Sequence, residues 1–410
     1  LHSNGRKNIR WSVDLRLLYI AYVFMYGLIV KFTISNSLLF KAKTYIPEVL
    51  LLFIALLGVK SNAWKMKRCF VLLLTFSALV VTVNIARHGL TEQGVYAIRD
   101  IYIPLTAFSC MMIPFTDNEN EIYTKRLVKF FKFYLIAGLI LAAVEQVKGW
   151  QWTSVFYTGH EFYGQDPLSK IKVAHSFGLL RAPSLSGNFA TFGYYIIIAG
   201  ITINAYEKIP RKQMFWDVIA IVCMVLSTNK SAIVIYTVIL VFRWIVDLHH
   251  QTIHKNNLAV LGIICFLCIL ALCFWLSRSE TKGVFLSLYE RVYYWTENLS
   301  EVSFAELILP YNQFAYGSGA EGGLSFWDNT YLYGLFTQGI VGMILWFNAL
   351  KECYTLRKKN GDFSAHKQIF ELTVALAVLS LTANVTQGRG FLTPYIVLVS
   401  TGWTYIKAEN

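Results

Sequence analysis

Arg68-Cys69-Phe70-Val71-Leu72-Leu73-Leu74-Thr75-Phe76-Ser77-Ala78-Leu79-Val80-Val81-Thr82-Val83-Asn84-Ile85-Ala86-Arg87 sets eighteen uncharged residues between two arginines. As an α-helix, at 1.5 Å per residue, they reach about 27 Å, close to the ~30 Å of hydrocarbon in a bilayer. Apolar blocks of this kind recur along the 410-residue chain, each bounded by Lys, Arg, Asn or Gly. Residues AVILMFWYC make up 56% of the sequence and charged residues only 15%. Soluble domains run at about 45–50% and roughly 25% respectively, so a soluble enzyme is excluded. The mean hydropathy of +0.48 agrees. The pattern predicts an all-α polytopic membrane protein with about twelve transmembrane helices: 15–33, 45–59, 69–86, 99–115, 127–147, 188–206, 214–228, 231–247, 258–277, 329–350, 368–386 and 391–406.

The first block ends at Lys31 without a small-residue cleavage pattern, so it is expected to remain as a span rather than serve as a cleaved leader. Placing the N-terminus in the cytoplasm puts 23 of the 37 Lys and Arg on cytoplasmic segments, Arg16 and Arg243 among them, against 14 elsewhere. Positive charge concentrates on the cytoplasmic side of membrane proteins, so both termini are expected there. The net charge of +13 thereby loses its first reading, nucleic-acid binding. The seven cysteines lie in or beside apolar blocks and read as small hydrophobes. That holds for the Cys265-x-x-Cys268 pair too, which has no His or further Cys at metal-ligand spacing.

Two long connections then fall on the outer face, 148–187 and 278–327. They divide the chain into 1–147 (five helices), the first loop 148–187, 188–277 (four helices), the second loop 278–327 and 328–410 (three helices). Loops beyond about 12–15 residues are commonly functional, and these are rich in aromatics. In the second, Val284, Leu288, Val292, Trp295 and Leu299 recur at helical spacing and predict an amphipathic helix. Ser303-Phe304-Ala305-Glu306 is a capping box for a second short helix, closed by Pro310. These helices suggest a folded cap on the membrane surface.

Basic residues stand at the same outer boundary: Arg87, Arg99, Arg181, Lys230, Arg291 and Arg389. Cations away from the favoured side mark functional sites, although any one of them alone can simply snorkel to lipid phosphate. Several arginines suit an anion rich in oxygen, because each guanidinium forks onto two oxygens. Arg181-Ala182-Pro183-Ser184-Leu185-Ser186-Gly187-Asn188 is a turn running into a span, a form that suits close approach of backbone to ligand. Thr228-Asn229-Lys230-Ser231 is a very short turn that fixes Lys230 at the boundary, and Tyr294 is placed to stack near Arg291. Asp328, opening the Asp328-Asn329-Thr330-Tyr331-Leu332 run, is a general-base candidate or an N-cap carboxylate. Glu145 is the fallback base, with Asn84, His175, Asn384 and Gln387 as lesser candidates near the same plane. The sequence has no phosphate-binding P-loop, dinucleotide fingerprint, metal-ligand spacing or serine nucleophile elbow.

Taken together, the chain resembles the O-antigen polymerase and O-antigen ligase superfamily of membrane glycosyltransferases. The likeness covers the whole chain in architecture and rests on short motifs. These are Arg99-Asp100 leading to Pro104, the Arg181 to Asn188 turn, Asn229-Lys230-Ser231-Ala232, and Arg291-x-x-x-Trp295. Tyr316-Gly317-Ser318-Gly319 ahead of Asp328 to Leu332, and Gly339-Ile340-Val341-Gly342, complete the set. Ligases typically carry His-Asn where this chain has Asp328-Asn329, which favours a polymerase, and Lys230 stands where Arg is commoner. The resemblance implies a GT-C-like fold in the bacterial inner membrane. It implies metal-independent transfer, without cofactor, at the periplasmic face. The donor is a polymer on undecaprenyl pyrophosphate, the acceptor a lipid-linked repeat unit, and a chain-length regulator is a possible partner. Arg181, Lys230 and Arg291 would hold the pyrophosphate with Arg99 in support, Tyr294 and Asn329 would line the site, and Asp328 would take the acceptor proton. A ligase with lipid A–core as acceptor and a flippase of lipid-linked oligosaccharide are the alternatives.

Overall fold

A computed structural model describes residues 14–33, 36–60, 68–112, 117–157, 175–176, 178–248, 292–293, 295–297, 299–300, 302–315, 329–360, 363–386 and 390–400. The chain in these parts is helical apart from turns and one pair of two-residue strands. The helices in order are α1 (Asp14–Phe24), α2 (Tyr26–Thr33), α3 (Ser37–Ala42), α4 (Ile46–Lys60), α5 (Arg68–His88) and α6 (Glu92–Ala107). Then come α7 (Asp117–Phe156), α8 (Phe189–Tyr206), α9 (Pro210–Ser227), α10 (Lys230–Leu248), α11 (Phe304–Ile308), α12 (Thr330–Asn360), α13 (Phe363–Thr382) and α14 (Leu392–Ser400). β1 (His175–Ser176) pairs antiparallel with β2 (Leu179–Leu180) in the first long connection.

Among the described residues, four helices are long and apolar enough to cross a membrane: α5, the Glu119–Trp150 part of α7, α8, and the Thr330–Glu352 part of α12. The pair α1 and α2, bent by 75° at Met25, counts as a fifth if the two form one broken span. The chain thus has the apolar helices of a multi-pass membrane protein. The expected span 258–277 lies outside the described residues.

α8 is the central helix: 72% of its most apolar stretch is buried, against 33% for α5 and for α7. Phe24 stacks on Tyr195 of α8 (centroids 4.2 Å apart) and meets Phe131 and Tyr134 of α7 edge-on or tilted. In lipid, where tails are as apolar as the side chains, close packing and internal hydrogen bonds hold helices together.

Two glycines set the helix paths. A Cβ at Gly27 of α2 would stand 2.3 Å from the backbone nitrogen of Gly187, so this contact is backbone against backbone. Gly339 breaks α12 with φ +66°, and a Cβ there would meet the Ile308 carbonyl at 2.7 Å, so α11 is seated on the break. α11 itself is the helix the capping box predicts, with Ser303 Oγ accepting from the Glu306 amide at 3.3 Å. Of the amphipathic stripe before it, Trp295 packs against Tyr333 and Phe336, whereas Val292 and Leu299 are exposed. Val284 and Leu288 lie outside the described residues.

Two cations that were expected only to orient the chain are buried in the protein. Arg16 is fully buried and donates to the Cys110 carbonyl. Arg243 of α10 forks onto Glu371 of α13, at 2.8 Å from its Nε, and reaches Asp217 of α9 at 3.1 Å. Asp217 also accepts from Tyr236 and, at 2.8 Å, from Asn204. This network joins α8, α9, α10 and α13 and keeps each buried charge hydrogen-bonded.

Candidate functional site

The Arg181 to Asn188 turn is threaded between helices, and side chains of α7 supply the hydrogen bonds that its backbone cannot make to itself. Gln146 brackets it on one side: its Oε1 accepts from Leu180 N at 3.0 Å, and its Nε2 donates to the carbonyls of Leu180 and of Leu226 (3.1 Å to the latter). Glu145, fully buried, brackets the other, accepting from Ser184 N at 3.2 and 3.1 Å through its two carboxylate oxygens. Tyr157 donates to Glu145 Oε1 at 2.8 Å and lies within hydrogen-bond range of the Ser184 carbonyl. Ser184 sits at φ +47°, a left-handed conformation that costs a non-glycine residue about 1–3 kcal/mol and persists where the surroundings impose it. Here they do: Ser184 Oγ donates to Gly138 O at 2.9 Å, and Ser186 Oγ shares a 2.7 Å hydrogen bond with Tyr134. Buried non-helical backbone needs its N–H and C=O groups satisfied in this way. Asn188 ends the turn by capping α8, accepting from Ala190 N and Thr191 N at 2.8 and 3.1 Å.

The second turn touches the first. Ala182 N donates to the Leu226 carbonyl at 3.3 Å, next to the Gln146 contact. Thr228 then adopts φ +52°, and Asn229 caps α10 through Ala232 N at 3.0 Å while donating to Ala190 O at 3.0 Å. Lys230 is exposed at the first position of α10, and Arg181 lies over the Phe189 ring at 4.8 Å.

From here the contacts continue to the start of α12. Thr382 Oγ1 donates to Ser231 Oγ at 3.1 Å. Thr330 Oγ1 donates to the Ala383 carbonyl at 2.7 Å and accepts from Val385 N at 2.9 Å. Asn329 caps α12, accepting from Tyr331 N and Leu332 N at 2.9 and 3.1 Å. The cap considered for Asp328 is therefore supplied by Asn329. The segments carrying Arg181, Lys230 and Asn329 form one polar rim, with Glu145 beneath it. Thr228 Oγ1 and Asn384 Nδ2 on this rim are buried without a hydrogen-bond partner among the described residues, and such groups ordinarily find one.

Other expected site residues lie elsewhere. Arg99 forms an ion pair with Glu48 and donates to the Thr44 carbonyl at 3.2 Å, tying α6 to α4. Its neighbour Asp100 accepts from the Tyr333 hydroxyl at 3.1 Å. Arg87 stands over the Tyr311 ring at 4.3 Å, and Asn84 donates to Pro310 O at 2.7 Å, so both tether the segment that follows α11. His175 is paired in β1 with Leu180. Arg291, Tyr294, Asp328, Gln387 and Arg389 lie outside the described residues.

Gln146 and Tyr157 were not singled out in the sequence. Their signal was slight: a second polar residue beside Glu145 at the end of an apolar block, and a tyrosine twelve residues beyond Glu145. No protein-family model, curated protein or solved structure matches the chain.

Proposed function

We propose that this chain is a membrane glycosyltransferase of the O-antigen polymerase kind, with about twelve spans, both termini in the cytoplasm and its site on the outer face. It joins undecaprenyl-pyrophosphate-linked repeat units into polysaccharide. The observation that carries this reading is the rim that joins the Arg181 turn, the Lys230 turn and the start of α12 through Ala182–Leu226, Ser231–Thr382 and Thr330–Ala383 contacts. In the reaction a hydroxyl oxygen of the acceptor unit attacks the anomeric carbon of the donor polymer. The bond from that carbon to the pyrophosphate breaks, its electron pair leaves with the phosphate oxygen, and the hydroxyl proton passes to Asp328. Arg181, Lys230 and Arg291 offset the charge that develops on the leaving group, which lowers the barrier when they are fixed beforehand. Thr228 and Asn384 bring unused hydrogen-bonding capacity to a sugar-bearing substrate. Glu145, with both oxygens engaged and no exposed surface, is assigned to positioning Arg181 and not to proton transfer. Arg99, engaged with Glu48, is left out of the pyrophosphate set.

The test is in cells. Arg181→Ala, Lys230→Ala and Arg291→Ala strains should assemble only short polysaccharide or single repeat units on their cores. Long, normally distributed polymer in all three would end the reading. A flippase is the second reading, favoured by the buried Arg243–Asp217–Glu371 cluster. Precursor accumulating on the cytoplasmic face of a null mutant would establish it instead.

A further inference from the structure

Between α12 and α13, closed at one end by Val385, Thr386 and Leu392, lies a cavity of about 400 Å³. That is within the usual ~300–1,000 Å³ of small-molecule sites. Its middle is walled by hydrocarbon and aromatic groups, with Met343, Trp346 and Leu350 of α12 facing Val374 and Ala377 of α13. On α13 the lining runs from Phe370 to Ser380, ten helical steps or about 15 Å. This is half the ~30 Å hydrocarbon thickness, the depth of one leaflet.

The two ends differ. At one, the hydroxyls are used within the protein: Thr330 on Ala383 and Val385, Tyr331 on the Ala377 carbonyl at 2.9 Å, and Thr386 on Asn384. At the other stands Lys351, exposed on the last turns of α12. Lys351 begins a basic link in which Arg357, Lys358, Lys359 and Lys367 follow, against Glu352 and Asp362. Lys367 is already bonded to Asn204 Oδ1 at 2.8 Å; Lys351 lies at the mouth of the apolar cleft. A leaflet-deep hydrocarbon slot with an ammonium at its mouth and a basic flank has the chemistry of an anionic amphiphile. Basic pockets between membrane helices on the side of the basic loops take anionic headgroups.

We propose that this groove is a binding site for an anionic phospholipid of the leaflet at its Lys351 end. One acyl chain lies along Trp346 and Ala377, and the phosphate pairs with Lys351. One end of the groove is the start of α12, which it shares with the outer rim. The lipid contacts at Trp346, Ala377 and Lys351 lie away from that end and do not depend on the chemistry assigned to the rim.

The test uses the full chain reconstituted in vesicles of phosphatidylcholine doped with phosphatidylglycerol, one of the two lipids carrying dibrominated chains that quench nearby tryptophan. The Trp346 signal is the difference between the chain and its Trp346→Phe variant. Phosphatidylglycerol should be preferred at this site by about fivefold over phosphatidylcholine, the increment of one cation close to an anionic lipid surface. Lys351→Ala, a surface change that leaves the helix intact, should abolish the preference while quenching by either lipid persists. Ala377→Phe should fill the groove and reduce quenching by both. Equal quenching by the two lipids in the unaltered chain, or a preference that survives Lys351→Ala, would overturn the proposal and leave Trp346 at an ordinary lipid boundary.

Discussion

Replacing Glu145 separates holding a loop from moving a proton. Glu145→Ala deletes the acceptors for Ser184 N–H and Tyr157 O–H, both of which lie at a fully buried carboxylate. Tyr157 keeps the Ser184 carbonyl as an acceptor, so the Ser184 N–H is the donor left without a partner, and a buried donor in that state costs about 1–3 kcal/mol. Ser184, at φ +47°, would at the same time lose one of the contacts that hold it in a strained conformation. At 1.4 kcal/mol per tenfold, even the lower figure raises the open population of the turn about fivefold. The assay is limited trypsin digestion in detergent with mass-spectrometric mapping of cleavage between Arg181 and Ala182, a bond whose Ala182 side is fully buried in the intact turn. Glu145→Ala should make this bond cleavable and abolish polymer formation. Glu145→Gln, which keeps one acceptor oxygen, should protect the bond far better and retain most activity. If Glu145→Gln is inactive while its Arg181–Ala182 bond stays protected, the carboxylate acts chemically and the positioning argument fails.

Arg243→Ala would leave Asp217 and Glu371 facing one another without their cation. Breaking a buried pair from one side costs about 3–5 kcal/mol, so the unfolding temperature in detergent should fall sharply; an unchanged midpoint would show that the network is not holding the helices. Asn329→Ala should cost about 1 kcal/mol through loss of the α12 cap, whereas Asn329→Asp should not, and the same melting experiment reads both. Lys132 donates to Glu207 just beyond α8 at 2.6 Å, and this hydrogen bond holds the Glu207 carboxyl below its ordinary pKa. Its contribution is complete above the ordinary carboxylate range and is lost as pH falls through the lowered folded value. Lys132→Met should therefore flatten the acid side of the stability profile, and an unaltered profile would dismiss the pair.

Local pattern explains what could be read from the sequence. The uncharged run 69–86 lies within a single helix, α5, and the Ser303 box opens α11 because capping needs only residues three apart. The turns at Arg181 and Lys230 were marked by their own Pro, Ser, Gly and Asn residues. The partners of the charges were not legible, because they lie far along the chain. Arg243 and Glu371 are 128 positions apart and Arg99 and Glu48 are 51 apart. A cation near a helix end reads the same whether it faces a headgroup or a buried carboxylate. The breaks at Met25 and Gly339 were equally hidden, since an apolar run stays apolar across a kink. Glu145 stood out as an acid in an apolar block, but its task depended on a turn that arrives almost forty residues later.

The most direct test of the account is reconstitution of the purified chain with a lipid-linked repeat unit in the presence of a chelator. A ladder of products growing by whole repeat units, lost on Arg181→Ala, is the predicted result. Unchanged repeat units, from a protein whose helices and unfolding temperature are intact, would contradict it.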